Sequence, residues 1–106
     1  MKLSIIIPCY NEQSTIKEII KKINFVKDLN KEIIVIDDYS SDNTREILHN
    51  ELKDSIHKIV LNKKNYGKGY SIRKGIEVSS GDCILIQDAD LEYDPSDYNK
   101  LLNPII

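Results

Sequence analysis

Four short apolar runs recur along the chain, at residues 3–8, 32–37, 58–61 and 83–87. Continuous runs of this length, rich in isoleucine and valine, are typical of strands that are covered on both faces. The pattern therefore predicts four β-strands, of which the first two are buried on both faces.

The segments between these runs carry helical patterns. A stripe of isoleucines at the i, i+3, i+4, i+7 spacing follows the first strand, and residues 40–42 offer N-caps for a second helix. A third helix is predicted at residues 67–78, where Gly81 supplies the stop, and a fourth at residues 94–102. The apolar positions of the first three helices are Ile16, Ile19, Ile20 and Ile23, then Ile47, Leu48 and Leu52, and then Ile72 and Ile76.

The alternation of strands and helices predicts an α/β fold with a parallel sheet and helices on both faces. The expected strand order is 3-2-1-4, the order of the nucleotide-binding half of a doubly wound, Rossmann-like sheet. Such sheets usually continue with further strands, so we expect residues 1–106 to be one part of a larger domain, truncated at its C-terminal end.

Composition narrows the classes of partner and location. The net charge is −2, from 15 basic and 17 acidic residues, so the basic excess that nucleic-acid binding requires is missing. No apolar run approaches the roughly 20 residues of a membrane span, and the first residues lack a signal-peptide pattern. Cys9 and Cys83 fall at opposite ends of neighbouring strands, which predicts free thiols and a cytoplasmic location.

Polar side chains gather directly after the predicted strands, in residues 8–12, 37–42, 65–69 and 88–92. In open parallel sheets, ligands bind at the carboxyl ends of the strands. Carboxylates, a tyrosine, an amide and a lysine from separate loops are therefore expected along one edge of the sheet.

Asp88 and Asp90 lie two residues apart after the last strand, and Glu92 follows at the same spacing. Carboxylates that converge in this way are ligands for a hard cation such as Mg²⁺ or Mn²⁺. The alternative is a solvated acidic turn, since aspartate is common where strands end.

Three other residues at this edge have a binding and a structural interpretation each. Asp37 and Asp38 can accept hydrogen bonds from a ribose or a base, or cap the next helix, and Asp38 is the better candidate for the base. Tyr10 can stack on a nucleobase or pack over the start of the first helix.

The segment Gly67-Lys68-Gly69 allows a close approach to a ligand, and Lys68 can contact a phosphate or remain solvated. The glycine spacing matches neither a dinucleotide-binding fingerprint nor a P-loop. A Rossmann dehydrogenase and a P-loop NTPase are therefore disfavoured.

Residues 4–12, 34–42, 65–69 and 87–95 together resemble the family 2 glycosyltransferases with the GT-A fold. The form Asp-Ala-Asp-Leu-Glu at residues 88–92 looks most like the branch of dolichol- and polyprenyl-phosphate sugar synthases. That branch often has glutamine where this chain has Glu92.

The resemblance implies a role for particular residues. It implies that the nucleotide-sugar is bound by Pro8, Tyr10, Glu12, Ile36, Asp37, Asp38, Asp88, Ala89 and Asp90. Asn11 and Lys68 are added as candidates because they follow strands at the same edge of the sheet. It implies that Asp90 and Glu92 bind the divalent metal, Mg²⁺ or Mn²⁺, and the spacing of the carboxylates adds Asp88 as a third predicted ligand. No general base is identified in this chain.

The resemblance implies the donor-binding segment of a metal-dependent glycosyltransferase, which uses a nucleoside-diphosphate sugar of the UDP or GDP type. The expected acceptor is a lipid phosphate or a saccharide, and the full-length protein could form a homodimer or associate with the cytoplasmic face of a membrane. One alternative is a non-catalytic module that binds nucleotide-sugars. A nucleotidyltransferase is disfavoured, because residues 9–12 lack the glycine-rich loop that usually follows its first strand.

Overall fold

The computed structural model describes residues 1–89, which form one parallel sheet with helices on both faces. The strand order is β3-β2-β1-β4, so the predicted fold class and order are confirmed. The strands are β1 (Lys2–Cys9), β2 (Asn30–Asp37), β3 (Lys58–Leu61) and β4 (Cys83–Ile86), and the helices are α1 (Ile16–Phe25), α2 (Thr44–Asn50) and α3 (Lys68–Val78), with a 3₁₀ turn at Lys53–Ser55. The helix predicted at residues 94–102 lies outside the described residues.

The larger part of the core lies between the sheet and helices α1 and α2. The isoleucine stripe of α1 is completely buried, as its spacing predicts, and packs on alternate residues of β1 and β2. Helix α2 ends at Asn50, so Leu52 joins this core from beyond the helix rather than from within it. The main contributors are Leu3, Ile5, Ile7, Ile16, Ile19, Ile20, Ile23, Ile33, Val35 and Leu48.

Helix α3 covers the opposite face, where Ile6, Ile34 and Ile36 form a smaller core. The buried residues of α3 are Ser71 and Gly75, whereas Ile76 is 44% exposed, so the Ile72 and Ile76 stripe is not the face that meets the sheet. Small residues face the sheet because the helix lies directly on the isoleucines of β1 and β2. This close packing positions the N-terminus of α3 over the carboxyl ends of the strands.

Helix α2 begins at Thr44, two residues after the predicted capping segment. Its first amide is nevertheless capped from that segment, because the Asp42 carboxylate accepts a hydrogen bond of 2.9 Å from the Thr44 amide. Within residues 1–89, no helix has the length and apolar composition needed to cross a membrane.

The buried carboxylate of Glu32 connects the strands at their amino ends. Glu32 on β2 accepts hydrogen bonds from the Ser4 hydroxyl at 2.9 Å and from the Ser80 amide and hydroxyl at 2.9 and 2.8 Å. Lys58 and Lys2 lie 3.3 and 3.5 Å from its Oε2 atom. Burial opposes ionisation of Glu32, but the hydrogen bonds outweigh it and lower the pKa to about 2.

This network predicts a stability that depends on pH. Because the folded pKa of Glu32 lies below the reference value of 4.5, its contribution is present above about pH 4.5 and is lost as the pH falls towards 2. Glu32→Gln should lower the free energy of unfolding at pH 7 by about 1–2 kcal/mol. Urea unfolding from pH 7 to pH 3 should show a shallower pH dependence for this variant than for the wild type.

Glu77→Gln is the control for this measurement, since Glu77 is 70% exposed. It should leave the pH dependence of the unfolding free energy unchanged. An equal pH dependence in the wild type and Glu32→Gln would show that the ionisation of Glu32 does not contribute to the free energy of unfolding.

Candidate functional site

A cleft opens at the carboxyl ends of β1, β2 and β4. Its lining comes from the loops after these strands and from the first turn of α3. The lining residues are Pro8, Cys9, Tyr10, Glu12, Asp38, Lys68, Ser71, Asp88 and Ala89. Of the residues predicted from the sequence, Asn11, Ile36 and Asp37 are not among them, and Asp90 and Glu92 lie outside the described residues.

Lys68 and Asp88 bring opposite charges together in this cleft. The Lys68 Nζ atom lies 2.5 Å from Oδ1 of Asp88, and the lysine side chain is 60% exposed. Lys68 is the first residue of α3, and Gly67 precedes it at the N-cap with a φ of 97°, a conformation that favours glycine. The cleft therefore presents a cation and a carboxylate side by side, both within reach of solvent.

Asp38 combines a structural contact with an open position in the cleft. Its Oδ1 accepts hydrogen bonds from Asn62 Nδ2 at 2.9 Å and from the Tyr66 amide at 2.8 Å, and its Oδ2 accepts one from the Gly67 amide at 2.8 Å. A carboxylate offers about four lone-pair positions. Asp38 thus anchors the loop before α3 and retains acceptor capacity on Oδ2 for a ligand.

Asp37 is completely buried and has a different environment. Its carboxylate accepts hydrogen bonds from the Ser40 amide and hydroxyl and forms an ion pair with Arg45. Arg45 also donates to the backbone carbonyl of Asn62. Asp37 therefore holds the loop after β2 against the end of β3 and does not face the cleft.

Asn11 is exposed and joins the loop after β1 to the loop after β2. Its Oδ1 accepts hydrogen bonds from the amides of Ser41 and Asp42, at 2.8 and 3.2 Å, and its own amide donates to the Ser40 hydroxyl at 2.9 Å. The φ of Asn11 is 53°, which asparagine tolerates well. The neighbouring Tyr10 is 46% exposed on the cleft side, so its ring is accessible for stacking.

Ile36 is completely buried under α3 and packs with Ile6 and Ile34. Its side chain therefore supports the cleft from below without lining it. Glu12 does line the cleft, and its backbone amide donates a hydrogen bond of 2.9 Å to Thr44 Oγ1, which ties its loop to the start of α2.

Two contacts among the loops that follow the strands carry no signal in the sequence. The Thr15 hydroxyl contacts the Ala89 carbonyl at 2.5 Å and Glu12 Oε2 at 2.9 Å, and so connects the start of α1 to the loop after β4. Tyr39 has a φ of 65°, unusual for a bulky residue, and its ring lies 5.3 Å from the Arg45 guanidinium. Both arrangements depend on tertiary contacts that local sequence patterns do not encode.

Cys9 lies at the floor of the cleft, but its environment opposes nucleophilic chemistry. Burial raises the pKa of its thiol well above the usual range, and the charges of Asp37, Glu12 and Asp42 raise it further. The thiol is therefore neutral at pH 7, and only a thiolate is an effective nucleophile. Cys9 and Cys83 are both free, as predicted.

The donor chemistry of the described residues fits one ligand of the predicted metal site. Asp88 supplies carboxylate oxygens at the cleft, which suit Mg²⁺ or Mn²⁺. Residues 1–89 contain no group of three histidine, cysteine, aspartate or glutamate side chains that could hold a metal. Asp90 and Glu92, the other two ligands that the sequence predicts, lie outside the described residues.

Two proteins of known function are similar in sequence to this chain. It is 36% identical over 106 residues to a dolichol-phosphate mannosyltransferase of Pyrococcus furiosus, covering 99% of this chain and 30% of the relative. It is 39% identical over 108 residues to an undecaprenyl-phosphate 4-deoxy-4-formamido-L-arabinose transferase of Yersinia enterocolitica, covering 96% of this chain and 33% of the relative. The chain thus spans about a third of the length of these relatives.

Solved structures and family membership agree with these similarities. The chain superposes with a TM-score of 0.78 on a mannosyltransferase of Pyrobaculum calidifontis in complex with GDP-Man and Mn²⁺. The two are 25% identical, over 97% of this chain and 31% of the other. The model of the family described as "Glycosyl transferase family 2" matches residues 4–106. This chain therefore belongs to glycosyl transferase family 2.

Proposed function

We propose that the cleft binds the nucleoside diphosphate of a sugar donor, and that the protein transfers the sugar to a polyprenyl phosphate with the help of a divalent cation. The observation that carries this proposal is the convergence of Tyr10, Asp38, Lys68 and Asp88 on one cleft at the carboxyl edge of the sheet. These are an aromatic ring, an acceptor, a cation and a carboxylate, which match the base and diphosphate of such a donor.

The strand order suggests how the donor lies. Asp88 follows β4 and Asp38 follows β2, so the two carboxylates occupy opposite sides of β1, from which Tyr10 extends. The diphosphate would bind beside Asp88 and Lys68. The base would then stack on Tyr10 and donate an N–H to Oδ2 of Asp38, where an acceptor position remains.

Sugar transfer leaves negative charge on the departing nucleoside diphosphate. Lys68 is the described residue placed to neutralise that charge, because its ammonium group lies at the cleft beside Asp88. A Mg²⁺ or Mn²⁺ ion held by Asp88, Asp90 and Glu92 would supply further neutralisation. The mannosyltransferase of similar structure that contains GDP-Man and Mn²⁺ supports this assignment.

The proposed acceptor follows from the names of the two relatives, which act on dolichol phosphate and undecaprenyl phosphate. A phosphate acceptor is already an anion at pH 7, so the attacking oxygen needs no proton removed by the protein. A hydroxyl acceptor would require a general base. The cytoplasmic face of a membrane is the location that this acceptor implies.

Calorimetry with the purified chain tests the donor assignment. UDP, GDP, UDP-GlcNAc and GDP-mannose should be titrated with Mn²⁺ and with a chelator. We expect one nucleoside diphosphate and the corresponding nucleotide-sugar to bind, with a higher affinity in the presence of Mn²⁺. In Asp90→Ala, Mn²⁺ should no longer raise this affinity. Absence of binding by the folded protein to all four ligands would overturn the proposal.

Sugar transfer separates an enzyme from a non-catalytic module. The donor that binds should be incubated with polyprenyl phosphate and, separately, with an oligosaccharide. Transfer to polyprenyl phosphate supports the proposed reaction. Transfer only to the oligosaccharide would contradict the proposed acceptor while leaving the donor site intact.

A further inference from the structure

A hydrogen-bonded chain of buried side chains lies at the Asp38 side of the cleft. Asn62 is 5% exposed and donates through Nδ2 to Asp38 Oδ1 at 2.9 Å and to Ser71 Oγ at 3.1 Å. Each of the two amide hydrogens of Asn62 thus has its own acceptor. The Ser71 oxygen therefore accepts from Asn62, and its hydroxyl hydrogen remains available for a different acceptor.

Ser71 itself lines the cleft from the first turns of α3. Its oxygen accepts from Asn62, and in the part of the chain that the structure describes its hydroxyl donates no hydrogen bond. A buried hydroxyl donor normally finds an acceptor. A ligand in the cleft would supply the missing acceptor.

The position of Ser71 along the edge of the sheet indicates which part of the ligand would supply this acceptor. Lys68 and Asp88 mark the diphosphate end, whereas Asn62 ties Ser71 to Asp38, on the β2 and β3 side. The group furthest from the diphosphate is the base. The cleft therefore offers the base an acceptor on Asp38 and, next to it, a donor on Ser71.

We propose that Ser71 is a specificity-determining residue, whose hydroxyl donates a hydrogen bond to a carbonyl oxygen of the nucleobase while Asp38 accepts from the adjacent ring N–H. A uracil or a guanine presents such a carbonyl and N–H side by side. The inference rests on the proposed function, since it assigns one contact within the donor site.

Ser71→Ala tests the contact by calorimetry against UDP and GDP. The ligand that binds the wild type should bind this variant about three- to tenfold more weakly, because one hydrogen bond is lost. The control is Ser79→Ala at the other end of α3, which removes only the hydrogen bond from Ser79 Oγ to the Ile76 carbonyl. That variant should bind the nucleotide as the wild type does.

Base analogues distinguish the loss of a direct contact between Ser71 and the base from a displacement of helix α3. The analogues are 4-thio-UDP and 2-thio-UDP, or 6-thio-GDP, in which sulfur, a weak acceptor, replaces the carbonyl oxygen. One analogue should bind the wild type more weakly than its parent, and Ser71→Ala should bind that analogue and its parent equally well. The inference would be overturned if Ser71→Ala bound the nucleotide within twofold of the wild-type affinity. It would also be overturned if Ser71→Ala lowered the affinity for the parent nucleotide and for every analogue by the same factor.

These results separate the inference from the proposed function. Binding of UDP or GDP to the wild type with no effect of Ser71→Ala contradicts only the role of Ser71. Failure of the wild type to bind either nucleotide contradicts the proposed function and, with it, the contact to the base.

Discussion

Gly75→Ala should lower the free energy of unfolding by about 1–3 kcal/mol, although alanine is the better helix former. A Cβ atom at this position would lie 2.9 Å from Cδ1 of Ile36 and closer still to Cγ2 of Ile6. Both isoleucines are completely buried, so neither can move away freely. Helix α3 would have to lift from the sheet, which reduces the apolar contacts of the smaller core.

Gly69→Ala is the matched control in the same helix. Its Cβ atom would meet only the end of the Arg73 side chain, at 3.8 Å. This variant should gain about 0.5–1 kcal/mol from helix propensity. Urea unfolding should therefore shift in opposite directions for the two variants, and a stabilised Gly75→Ala would show that α3 does not rest on β1 and β2 as closely as described.

The sequence predicts the sheet well because its signals are local and strong. Each strand is a continuous apolar run, and the α1 stripe repeats at the helical spacing, so the strand order and the buried face of α1 follow from general rules. Helix α3 is different, since small residues face the sheet and Ile76 faces solvent. An apolar stripe alone does not reveal that a helix packs through glycine and serine.

The candidate site shows the same division. Its position at the carboxyl ends of the strands follows from topology, and so does the convergence of Tyr10, Asp38, Lys68 and Asp88. The sequence ranks Asp38 above Asp37 as the contact to the base, but the contacts that distinguish the two residues depend on Arg45 and on the loop before α3.

Ser71 and Thr15 show why contacts across the chain escape sequence analysis. Thr15 contacts Ala89, which is 74 positions away, and Ser71 enters the cleft only because Gly75 lets α3 lie close to the sheet. The packing of α3 and the chemistry of the cleft are therefore linked. A variant that lifts this helix should weaken nucleotide binding as well as lower stability.

Asp88→Asn should abolish the increase in nucleoside diphosphate affinity that Mn²⁺ produces, a loss of roughly tenfold or more, or about 1.4 kcal/mol or more. The substitution keeps the size of the side chain and removes the charge that a divalent cation requires. Its effect on the unfolding free energy should stay within about 1 kcal/mol, because the ion pair with Lys68 is solvent-exposed.

The same variant should bind the nucleotide at least as well as the wild type when a chelator removes the cation. Asp88 then no longer repels the diphosphate, and the Lys68 ammonium no longer pairs with Asp88 Oδ1. Lys68→Met should instead weaken binding with and without Mn²⁺, since the proposed contact between the ammonium group and the diphosphate does not depend on the cation. Asp54→Asn, at an exposed position on the 3₁₀ turn, should change neither affinity. If Mn²⁺ raised the affinity of Asp88→Asn as much as that of the wild type, the cation would bind elsewhere. If, with a chelator present, Asp88→Asn kept or gained nucleotide affinity and Lys68→Met lost it, Asp88 would be assigned to the metal and Lys68 to the phosphates.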